Sequence, residues 1–116
     1  GINSYGLLQK YFEDKDFYES EYSYYNCMLI QFLVEHKGIL LKICTDLLKS
    51  DELAVQAEEL INLANMVKGF VLKSMIRRTC SSAEREKLID YLKKLKEQET
   101  GLLQNMLTHI DALISH

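Results

Sequence analysis

The chain has 116 residues and a net charge of −3, is 47% apolar and 27% charged, and contains five glycines and no proline. That length suits one domain with a modest core, and the composition is too apolar for a disordered chain. A proline-free sequence argues against a loop-rich or all-β fold, the charge favours neither nucleic acid nor a membrane surface, and no apolar run nears the roughly 18 residues that a bilayer span needs.

Residues 1–16 read as a short helix and a turn. Asn3 or Ser4 can cap it, and Tyr5, Leu8, Tyr11 and Phe12 share one side. So short a helix does not stand alone, and it is expected to pack across an end of a larger bundle. Glu13-Asp14-Lys15-Asp16 is a polar break, and Asp16 can cap the next helix.

A long helix is expected over 17–49. Tyr18, Tyr22, Tyr25, Leu29, Phe32 or Leu33, Leu40, Ile43 and Leu47 recur at steps of three, four and seven, and the segment is apolar on several sides around 27–34. Gly38 is its expected weak point. Lys49-Ser50-Asp51-Glu52 is the next break, where Ser50 is a good N-cap and the two acids suit a helix start.

The third helix spans about 51–78. Leu53, Ala57, Leu60, Ala64, Val67 and Val71 form its stripe, and Ile61, Leu63, Met66, Phe70, Leu72, Met75 and Ile76 broaden it. Arg77-Arg78 suits the C-terminal end of the helix dipole. Ser81-Ser82-Ala83-Glu84 is a capping box that opens a fourth helix reaching about Ser115. Leu88, Leu92, Leu95, Leu102, Met106 and Leu113 keep a coiled-coil-like spacing, which Glu99 and His109 interrupt. Short connections force antiparallel neighbours. The fold class is therefore all-α: an antiparallel up-down-up bundle of three long helices plus a short N-terminal helix, in one domain over 1–116.

Three thin helices with wide apolar faces favour self-association, and Tyr18, Tyr22, Tyr24 and Tyr25 are the candidate interface, since a tyrosine ring buries while its hydroxyl stays wet. The competing reading is that these rings pack the first helix. Cys27, Cys44 and Cys80 are odd in number and unclustered, which reads as small buried side chains in a reducing cytoplasm.

Motifs for chemistry are missing. No Glu-x-x-His of a di-iron bundle occurs, no Gly-x-Ser-x-Gly, and no glycine-rich phosphate loop. His36 and His109 lie near seams and could approach Glu99, but at different heights, so a metal site is not expected. His36-Lys37-Gly38 is contiguous, which fails the spacing of histidine phosphotransfer domains. No catalytic residue, cofactor or metal is assigned.

Between 66 and 96 stand nine bases against three acids. Arg77, Arg78 and Arg85 at the turn before the fourth helix are a candidate site for an anion or an acidic partner. The alternative is that Glu13, Asp14, Asp16, Glu19 and Glu21 neutralise that turn. The sequence reads best as a cytoplasmic, non-catalytic protein that binds another protein or forms a homodimer. The rival is a ligand-binding or sensor bundle with an apolar cavity near Phe32, His36, Phe70 and Glu99.

Overall fold

A computed structural model describes residues 4–14 and 23–115, with the side chains of residues 4, 23–27 and 29 outside that description. Its four α-helices are, in chain order, α1 (Ser4–Glu13), α2 (Ser23–Lys42), α3 (Asp51–Arg77) and α4 (Ser82–Ile114). The described residues contain no strand and extend over 54 × 20 × 19 Å. α2 packs on α3, and α3 packs on α4. The short connections at 48–50 and 78–81 turn each helix back along its predecessor, and a hydrogen bond crosses each pair far from its connection: Lys68 Nζ donates to Gln31 Oε1 at 2.6 Å, and Asn105 donates to Gln56 at 3.0 Å.

The α3 seam is the regular part of the core. Leu53, Ala57, Leu60, Ala64, Val67 and Val71 are all buried, as the four-three spacing requires. The α4 seam continues it with Leu88, Leu92, Leu95, Leu102 and Met106. Small alanines on α3 let the larger leucines interdigitate. Not every apolar position of the expected stripes is used: Met66, Ile76 and Leu113 are exposed.

Both long-helix starts are capped as the sequence indicates. Ser50 Oγ accepts from the Leu53 amide at 3.2 Å, and Ser81 Oγ accepts from the Glu84 amide at 3.2 Å. α3 ends at Arg78, which takes a left-handed conformation (φ 54°) so that its amide reaches back to Met75 and Ser74 carbonyls.

Two expectations are corrected. The long helix is not continuous to 49, and Gly38 does not break it. Its irregularity is a π-helical turn over Ile43–Leu47, where the Leu48 amide bonds the Ile43 carbonyl at 3.0 Å. Within it, Thr45 Oγ1 donates to the carbonyls of Leu41 and Lys42. Nor does α1 cross an end of the bundle. It packs chiefly on α4, with Tyr5, Leu8 and Phe12 buried and Leu7 and Tyr11 facing outward. The helical repeat puts the three buried residues on one stripe, and Tyr5 covers a polar spot near the middle of α4.

Candidate functional site

Two seams are broken at the same height. Among the described side chains of α2 and the π-turn that follows it, the buried positions are Ile30, Leu33, Lys37, Leu40 and Cys44, so lysine occupies a core position. On α4, Glu99 sits between Leu95 and Leu102. Lys37 is 1% exposed and Glu99 0%. Each would be an expensive burial alone, and the helix registers bring them together: Lys37 Nζ donates to Glu99 Oε1 in a short contact.

Two further groups complete the cluster. Lys37 Nζ lies 2.9 Å from His36 Nδ1 and 5.0 Å from the centre of the Tyr5 ring. An ammonium has no lone pair to offer, so Nδ1 is the acceptor and His36 is the neutral tautomer protonated on Nε2. His36 Nδ1 is also 3.5 Å from Glu99 Oε1, as two acceptors around one cation. The Tyr5 hydroxyl and Glu99 Oε2 are buried and find no hydrogen-bond partner. The carboxylate nonetheless acts on the phenol, through its charge and a loose hydrogen-bonding approach.

The electrostatics are set by burial. Desolvation first, then the negative Glu99, raises the Tyr5 pKa far above the phenol range, so Tyr5 stays neutral. Burial lowers the Lys37 pKa, against the hydrogen bond and charge of Glu99. Burial and then the Lys37 charge lower that of His36, partly offset by Glu99. The cluster is a compensated charge pair with one half-exposed edge at His36.

The structure brings His36 to Glu99, as its seam position allowed, but keeps His109 apart. His109 Nε2 is 3.0 Å from the Leu48 carbonyl, near the far end of α4. Among the described residues, no group of three or more His, Cys, Asp or Glu is placed to hold a metal ion. Phe32, His36, Phe70 and Glu99 do not line one cavity. Phe32 turns to the outer face of α2 (58% exposed), Phe70 lies 5.8 Å beneath Lys87, and Lys37 fills the space beside Glu99. A surface cleft of about 340 Å³ opens elsewhere, lined by Ser50, Gln56, Asn105 and His109 among others.

At the basic turn, two of the three arginines make contacts within the chain. Arg77 donates to Glu84 at 2.7 Å, and Arg85 donates to the Cys80 carbonyl at 2.6 Å. Burial would raise the Glu84 pKa, but its hydrogen bond with the Ser81 side chain and the Arg77 charge outweigh that and lower it. Arg78 is the left-handed cap. Of the acids expected to meet this turn, Asp16, Glu19 and Glu21 lie outside the described residues. So do Tyr18 and Tyr22, while Tyr24 and Tyr25 lie in the first turn of α2 with their side chains outside the description.

No family model, curated protein or solved structure matches this chain. Among the described residues, no helix is long and apolar enough to cross a membrane.

Proposed function

We propose that this is a non-catalytic helical-bundle protein that acts through protein–protein contact, and that α2 pairs with α2 of a second copy. The supporting observation is that α2 is apolar on two opposite faces and only one is covered. Ile30, Leu33 and Leu40 face the core. Met28, Phe32 and Ile39 form a second stripe on the far side, and Phe32 and Ile39 are each 58% exposed. Steps of four and seven make this stripe a coiled-coil seam.

Charge favours a second copy as the occupant. Glu35 and Lys42 are exposed seven residues apart on the same stripe. Two copies set antiparallel place each Glu35 opposite the other copy's Lys42, a self-complementary contact of two-fold symmetry. The test is light scattering on the full chain at rising concentration, with Phe32→Glu/Ile39→Glu as control. A dimer that the double variant turns into a monomer of unchanged helicity supports the reading. A wild-type monomer at high micromolar concentration overturns it, as does a dimer that survives the variant.

A further inference from the structure

We propose that α1 is a lid over the Lys37–Glu99 pair, and that it lifts off as a unit while α2, α3 and α4 stay folded. Its hold is limited. Ten residues make too short a helix to persist unaided in water, so α1 depends on its packing, chiefly the stripe of Tyr5, Leu8 and Phe12. It rests mainly on α4, the helix most distant from it in sequence. α3, by contrast, packs along both α2 and α4.

What lies beneath α1 works against closure. Closing it keeps an ammonium and a carboxylate out of water and leaves the Tyr5 hydroxyl and Glu99 Oε2 unpaired. Opening it exposes apolar surface, but hydrates both ions and both unpaired atoms. These opposing terms are absent from the α3 seam. A short helix above a polar floor is the kind of unit that opens locally, well below the free energy of global unfolding. The open form presents the Lys37 amine to solvent.

Two readouts on the full chain test this: amide exchange by mass spectrometry, and acetylation of Lys37 under native conditions. In the wild type, amides of residues 7–13 exchange at least roughly tenfold faster than those of residues 60–71, and Lys37 is modified faster than the chain unfolds. Phe12→Ala raises both rates by about tenfold or more and leaves exchange over 60–71 unchanged. Lys37→Met with Glu99→Leu removes the polar floor and slows exchange in α1 by roughly tenfold. The proposal is overturned if α1 exchanges only at the rate of α3, or if the double variant folds and leaves α1 no slower. Should the double variant fail to fold, the wild type and Phe12→Ala settle the matter: Lys37 modified only at the unfolding rate in both would exclude a lid.

Discussion

The α3 seam and the α1–α2–α4 crossing are two ways of building one core. In the first, Ala57, Leu60, Ala64, Val67 and Val71 are fully buried and carry no polar side-chain atom. In the second, apolar residues surround Lys37 and Glu99, and a hydroxyl and a carboxylate oxygen go unpaired. Apolar seams gain from every contact and oppose nothing, so they close cooperatively. A seam with an ion pair at its centre gains position more than stability, because the attraction of the charges is set against their desolvation. The same chain thus holds a firm half and a half that is nearly balanced.

The sharpest break of that contrast comes from equal truncations in the two regions. Leu60→Ala should cost about 2–5 kcal/mol of global stability, read by urea unfolding, because its cavity lies in the firm seam. Phe12→Ala removes a larger side chain, and in a firm core would cost about 3–5 kcal/mol. Here its loss is confined to α1, so the urea midpoint should fall by less than half as much as for Leu60→Ala. Equal losses would erase the distinction between the regions.

A smaller effect should come from the end of α3. Arg78 is held at φ 54°, where a side chain is strained and glycine is not. Its side chain forms none of the hydrogen bonds that engage Arg77 and Arg85. Arg78→Gly should therefore gain about 1 kcal/mol in the same unfolding experiment. A loss would mean that the arginine side chain itself steadies the α3–α4 turn.

The smallest effect is a pH dependence in the polar half. His36 has a pKa below its usual 6.5 in the fold, through burial and the Lys37 charge. On acidification the unfolded chain takes up that proton first. The stability contributed by neutral His36 is full above pH about 6.5 and declines as pH falls from there through the folded pKa. Among the described residues, its charged and titratable neighbours besides Lys37 are Glu99 on α4 and, beyond the ammonium, Tyr5 on α1. Urea midpoints should fall between about pH 8 and pH 5.5, and His36→Gln should remove part of that fall while leaving midpoints at pH 8 close to wild type. A wild-type slope that the variant reproduces would assign it to other groups.

How far the sequence could be read divides along the same line. The α3 stripe and both serine caps were legible because helical spacing and capping are local rules. The phase of α2 was not. With apolar residues on two faces, Phe32 and Leu47 fit a seam as well as Ile30 and Leu33 do, yet both are exposed. Choosing between the phases needed the neighbours, because the true seam contains Lys37, a residue ordinarily assigned to water. One signal was available: Glu99 stands in an otherwise leucine-rich repeat, and such a misfit asks for an opposite charge at its own height on another helix. The π-turn was hidden for a different reason: no spacing marks it, and the bond from the Thr45 hydroxyl to the Leu41 carbonyl has counterparts at Ser74, Thr100 and Thr108 in helices that stay regular.

The lysine at the centre also restricts what could replace it. Its terminal nitrogen is a tripod: one leg reaches the carboxylate and one the imidazole, while the aromatic ring sits to the side. A guanidinium is a flat plate with its hydrogens splayed in a plane, and it would need a wider chamber and a different set of acceptors. Position 37 is therefore defined by the shape of its cation as much as by the sign of its charge.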